Sequence, residues 1–108
     1  MVLIAVGFLI QESGLLNISG NGKIVDDTYK DYKDNIKTIV INDGITYIGD
    51  NMFMSLQQLT NVVFANSVSF IGQSAFYYCS SLTEVNLPNS LTSISPGTFH
   101  DCSSLNHI

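Results

Sequence analysis

The feature that most constrains this chain is an internal repeat. Set out in lines of 23 residues from Ile36, it reads IKTIVINDGITYIGDNMFMSLQQ (36–58), LTNVVFANSVSFIGQSAFYYCSS (59–81), LTEVNLPNSLTSISPGTFHDCSS (82–104) and the partial line LNHI (105–108). The lines align without insertion or deletion. Apolar residues fill the first column (Ile36, Leu59, Leu82, Leu105), the fourth (Ile39, Val62, Val85, Ile108) and the sixth (Ile41, Phe64, Leu87). They also fill the tenth (Ile45, Val68, Leu91), the thirteenth (Ile48, Ile71, Ile94) and the eighteenth (Phe53, Phe76, Phe99). A unit this short cannot bury its apolar edge alone, so consecutive units must stack into a solenoid in which each repeat contacts its neighbours.

The spacing within a line sets the local structure. The fourth and sixth residues are two apart and share one face of an extended strand, while the third, fifth and seventh face out. Stacking then predicts a parallel strand ladder. Asn42-Asp43-Gly44, Ala65-Asn66-Ser67 and Pro88-Asn89-Ser90 follow the strand with residues suited to tight turns. A second extended stretch carries the tenth and thirteenth columns inward, and a short return segment sets the phenylalanine column in the core.

Composition limits function. The chain is 45% hydrophobic and 12% charged, which excludes an intrinsically disordered segment. Nine acidic residues against four basic ones give a net charge of −5, the wrong sign for nucleic acid or anionic lipid. The opening run MVLIAVGFLI is too short to span a membrane, with Gln11, Glu12 and Ser13 ending it. It has the length of a signal-peptide core but no preceding basic residue and no small-x-small cleavage site after it.

No motif points to catalysis or to a cofactor. GxSxG, HExxH and a phosphate-cradling glycine loop are all lacking, and Ser80-Ser81 recurs as Ser103-Ser104, as a structural turn would. Cys79 and Cys102 share a column that holds Leu56 in the first line. Stacking brings the two near each other, so a disulfide fits the spacing, but a column that accepts leucine favours two buried free thiols. His100 and His107 have no partners at ligand spacing and read as solvated. The acidic stretch Asp26 to Asp34 lacks the glycine and terminal glutamate of an EF-hand loop and reads as a mixed-charge connector. Asn17-Ile18-Ser19 fits a glycosylation sequon, a frequent chance match.

The lines resemble the BspA-type, or treponemal, leucine-rich repeats, whose pattern is close to LTxVxIPxSVTxIGxxAFxxCxx. The second and third lines follow it nearly throughout, and the first departs at Met52 and Leu56. Gly44, Ser67 and Ser90 stand where the common leucine-rich repeat places Asn. FLIQESGLLNISGNG, residues 8 to 22, is similar to the N-terminal cap of such proteins, with Phe8 to Gln11 and Leu15 to Ile18 as strand-like runs around a Glu-Ser-Gly turn. The expected architecture is a leucine-rich-repeat solenoid, a stacked parallel β-strand ladder with short return segments, with a β-hairpin cap at 1–22, a connector at 23–35 and repeats over 36–108. The resemblance implies a non-enzymatic module of a cell-surface or secreted protein that binds host or neighbouring-cell proteins. An intracellular scaffold, or a solenoid without a ligand of its own, is the alternative.

A solenoid binds through side chains its core does not use. The outward positions of the first ladder are Thr38, Val40 and Asn42, then Asn61, Val63 and Ala65, then Glu84, Asn86 and Pro88. Val40 and Val63 should stack into an apolar strip, and Tyr47 and Phe70 into a second that ends at Ser93. Exposed strips of this kind mark contact sites, although β-propensity alone also favours such residues in strands. A fourth repeat that stops at Ile108 without a polar cap adds a further expectation: self-association through the last repeat, or truncation of a longer parent.

Overall fold

The computed structural model describes residues 6–25 and 29–106. The opening residues 1–5, the Asp26–Thr28 part of the acidic stretch, and His107 and Ile108 lie outside them. Seven strands follow in chain order: β1 (Val6–Ile10), β2 (Leu15–Gly20), β3 (Gly22–Ile24), β4 (Thr38–Ile41), β5 (Ile45–Ile48), β6 (Asn61–Phe64) and β7 (Phe70–Ile71). A 3-10 helix over Lys30–Asn35 precedes β4.

The strands form two separate ladders. One sheet has the order β1-β2-β4-β6 and the other β3-β5-β7. Parallel pairing joins Thr38 to Asn61, Ile39 to Val62, Val40 to Val63 and Ile41 to Phe64, and Tyr47 to Phe70 and Ile48 to Ile71. Each pair is one repeat apart, as the columns predict. Ile39, Ile41 and Val62 are buried while Val63 is exposed, so the period-two pattern divides inside from outside.

The return segments make a third stack without being strands. Asn51, Phe53 and Ser55 donate their N–H groups to Gln73, Ala75 and Tyr77 carbonyls at 2.9, 2.7 and 2.7 Å, and Ser74, Phe76 and Tyr78 do the same to Pro96, Thr98 and His100 at 3.3, 2.9 and 2.8 Å. The residues between them turn inward on their own repeat: Met54 donates to Asn51 O at 3.2 Å and Tyr77 to Ser74 O at 3.1 Å. This alternation needs left-handed backbone at two points per repeat, at Asn51, Ser74 and Gly97 (φ 60°, 56° and 69°) and at Ser55, Tyr78 and Asp101 (φ 65°, 61° and 61°). Asn, Gly and Asp suit that region; the bulky Tyr78 does not.

Three features differ from expectation. Gly22–Ile24 and Lys30–Asn35 are ordered, although 23–35 reads as an irregular connector. Leu16 and Ile18 pair with Ile39 and Ile41, Ile24 pairs with Ile48 after a register shift at Gly22/Lys23, and Tyr29 lies buried against Phe53 with ring centroids 5.7 Å apart. Residues 15–25 and 29–35 thus follow the path of a repeat, with one residue fewer between Leu16 and Ile24 than between Ile39 and Ile48.

In the third line, only Glu84 makes a strand bridge. Asn42 and Ala65 each donate an N–H to the preceding repeat, to Ile18 O at 3.0 Å and Ile41 O at 2.9 Å. Pro88 holds the same column and has no N–H to give, so the closing rung is lost. Pro88 itself is buried rather than outward, because Asn42 and Ala65 are already half-buried at this edge of the core and its apolar ring is drawn in.

Ile94 is 47% exposed, whereas Ile48 and Ile71 in its column are buried. Among the described residues, a following line stacks over each of those two, whereas none stacks over Ile94.

Candidate protein-binding surface

The first ladder brings four of the expected contact residues together. Thr38 lies beside Asn61 and Val40 beside Val63, with Asn17 of β2 extending the second row. Val63, 48% exposed, is the most open apolar member, while Val40 and Thr38 are half-buried and Asn61 is exposed. Glu84 and Asn86 are exposed, but the ladder's loss beyond Glu84 leaves Asn86 outside any strand. At the ladder's edge Asn42 Nδ2 donates to Ile18 O at 2.9 Å and to Asn17 Oδ1, which ties the first two rows together.

Tyr47 and Phe70 lie on the other sheet. Their rings stack with centroids 4.6 Å apart and 17° between planes, the spacing that a parallel ladder imposes on one column. Phe70 is 37% exposed, and Ser93 follows it with no ring to continue the stack. Lys23 Nζ sits 4.8 Å from the centre of the Tyr47 ring, so the strip runs cation, phenol, phenyl. Lys23 escaped the sequence reading because the register shift at Gly22/Lys23 breaks the column count that would have placed it beside Tyr47.

A third aromatic group lies on the return stack. Tyr77 and His100, one repeat apart, stack at 5.5 Å and 12°, and exposed Tyr78 lies 6.2 Å from Tyr77. The sequence signal was an aromatic in the nineteenth column of two adjacent lines. His100 Nε2 is 3.8 Å from Asp101 Oδ2 with both side chains largely exposed, a contact of little energetic weight. Among the described residues, no three of His, Cys, Asp and Glu group to hold a metal ion, and no helix is long and apolar enough to cross a membrane.

Both cysteines are free. Cys79 Sγ donates to Phe53 O at 3.2 Å and Cys102 Sγ to Phe76 O at 3.1 Å, so the column repeats a thiol-to-carbonyl bond between neighbouring repeats. Burial pushes the Cys79 thiol up to about 12, and burial raises Cys102 as well. A neutral buried thiol is a poor nucleophile. With its ordinary value near 9, Cys79 supports the fold fully below that pH, and the support is lost as pH rises from 9 towards 12. We expect Cys79→Val to flatten this alkaline loss of stability, followed by urea unfolding across that range. An unchanged pH profile would show that Cys79 is not its source.

Comparison with known proteins matches this arrangement to one family. The BspA-type leucine-rich repeat region matches residues 22–108 in six copies. No curated protein matches the chain. A leucine-rich repeat protein of Eubacterium ventriosum superposes with a TM-score of 0.77 at 26% identity, over 97% of this chain and 38% of that one. The leucine-rich repeat protein of T. pallidum gives 0.58 at 17% identity, over 94% and 66%. A leucine-rich cell surface protein of Faecalibacterium prausnitzii gives 0.55 at 22%, over 99% and 41%. The chain thus spans less than two thirds of the length of each of these structures, and the last two likenesses concern the fold alone. With the family pattern running through 22–108 and the ladders in register at its period, the chain belongs to the BspA-type leucine-rich repeat family.

Proposed function

We propose that this chain is a solenoid segment, covered at its N-terminal end by the β1–β2 hairpin, that presents the outward columns of its two ladders to a protein partner at a cell surface or after secretion. The observation that carries the reading is the pair of solvent-facing apolar strips, Val40–Val63 and Tyr47–Phe70, which the core does not use. Exposed apolar strips in register are the surface a partner can desolvate. The hairpin's covering role is supported by Phe8, whose ring lies 6.0 Å from that of Tyr29. The location draws support from the name of the F. prausnitzii protein, a cell surface protein of the same fold.

The test is a screen against extracellular matrix proteins and surface proteins of neighbouring cells, repeated with Val63→Lys and Phe70→Lys. Both positions are exposed, so the variants should fold. A lysine in a desolvated contact should cost about 2 kcal/mol or more of binding, roughly a thirtyfold loss. Affinity unchanged in both variants would place the contact elsewhere, and a chain inaccessible to labels applied outside intact cells would remove the surface location.

Self-association through the last repeat is a separate proposal, supported by the exposure of Ile94. A constant monomer mass in light scattering across a hundredfold range of concentration would end it.

A further inference from the structure

β1 is the outer strand of its sheet and pairs only with β2 among the described residues. The hairpin turn determines which of its backbone groups are used. Gly14 donates its N–H to Gln11 O and Gln11 donates to Leu15 O, both at 2.9 Å, and Gly14 has φ 89°. This is a three-residue loop, a type I turn closed by a left-handed glycine. Gln11 and Leu15 are therefore a hydrogen-bonded pair. Along the register the next such pairs are Leu9 with Asn17 and Gly7 with Ser19. Phe8 and Ile10 lie between them, so their N–H and C=O groups point away from β2 to the open edge. No hydrogen bond within the described residues engages those groups.

Strand edges are commonly blunted by charge, proline or a bulge. β1, with the sequence VGFLI, has none of these, and its register with β2 runs unbroken. Beside it lies a cleft of about 330 Å³ lined by Phe8, Leu9, Ile10, Tyr29 and Tyr32. Leu9 is 60% exposed and Tyr32 52%. An apolar hollow thus adjoins a free edge with donors and acceptors at strand spacing.

We propose that this edge and cleft dock an extended polypeptide segment of a partner, which adds as a strand to β1 and places an apolar side chain between Phe8, Ile10 and Tyr32. Alternating N–H and C=O groups complement another extended backbone, and the cleft selects its side chains. A second copy of the chain is the poorer occupant: five residues span about 17 Å, and a strand pair of that length buries far less than the roughly 1,200 Å² of a stable dimer. Leu9 continues the outward row of Asn17, Val40 and Val63, but the docking edge itself is made by the backbone groups of Phe8 and Ile10, so protection of their amides is read separately from the effects of Val63→Lys and Phe70→Lys.

The test uses the whole chain and a capped hexapeptide, Lys-Thr-Val-Thr-Leu-Thr. At saturation, amide exchange at Phe8 and Ile10 should slow at least tenfold, while Gly7 and Leu9, already bonded to β2, change little. Two peptides N-methylated on opposite phases of the backbone should differ at least tenfold in affinity. Tyr32→Ala, at an exposed position, should weaken binding at least fivefold. No binding at millimolar peptide, unchanged exchange at Phe8 and Ile10, equal affinity of the two methylated peptides, or full affinity of Tyr32→Ala would each overturn the proposal. So would a dimer of the free chain that already protects those two amides.

Discussion

Phe76→Ala should destabilise the protein by about 3–5 kcal/mol, the range for truncating a buried aromatic. Phe76 is completely buried and stands at the centre of a ring column. Its centroid is 5.3 Å from Phe53, 5.6 Å from Phe99 and 5.9 Å from Phe64, which meets it edge-on. Truncation removes contacts with two neighbouring repeats as well as its own. In a stack each repeat draws stability from its interfaces, so the loss falls on the junctions of 59–81 with both 36–58 and 82–104. A domain of this length has roughly 5–15 kcal/mol in all, and the variant should be largely unfolded in mild urea. Phe99, half-buried, stacks among the described residues on Phe76 alone, so Phe99→Ala should cost clearly less. Urea unfolding followed by circular dichroism measures both. Equal losses would show that the column is a set of independent contacts rather than a shared stack.

The same column separates what was legible in the sequence from what was not. Phe53, Phe76 and Phe99 were readable because the lines from 36 to 104 keep one length, so counting alone places each ring above the last. Tyr29 does the same work one repeat earlier, packed on Phe53 with its hydroxyl donating to Met52 O, yet it went unread. Ile24 stands 24 residues before its partner Ile48, and Leu16 stands 23 before Ile39. A count that assumes one offset loses the column at this step. Ser13 also stands where the other lines have Ile36 or a leucine, which removes the apolar residue that would mark the start of the line. At the other end, the loss of the closing rung follows from Pro88, a residue the family pattern itself contains; its missing N–H matters only once the rung made by Asn42 and Ala65 is known. For the surface, alternation identified Val63 and Phe70 as outward. The ring stack of Tyr47 on Phe70 is a property of the register, and Lys23 joined it only through an irregularity in that register.

Replacing Gly44 with serine, the residue of its own column, should be nearly as harmful as replacing it with alanine, at about 2–4 kcal/mol each. The column holds Gly44, Ser67 and Ser90, and repeat averaging would recommend serine. At 67 that choice is productive: Ser67 Oγ donates to Ile45 O at 2.7 Å and accepts from Gly44 N at 3.2 Å. Ser90 Oγ likewise donates to Val68 O at 2.6 Å. Gly44 differs in both backbone and surroundings. Its φ is 105°, and a Cβ there would lie 2.3 Å from Gly20 O and 2.7 Å from Asn21 Oδ1. Backbone strain for a residue with a Cβ costs about 1–3 kcal/mol, and overpacking against the Gly20 carbonyl adds a similar amount. Gly44 O accepts from Gly22 N at 2.9 Å, so relieving the clash would break the tie between β5 and the irregular first repeat. A hydroxyl at 44 cannot recover this, because the obstruction is at Cβ. By contrast, Ser67→Gly should lose about 1 kcal/mol, the worth of its hydrogen bonds. If Gly44→Ser proves neutral in urea unfolding, the turn at 42–44 can adopt the geometry of its counterpart at 65–67, and the departure of the first repeat from the rest is not built into the backbone there.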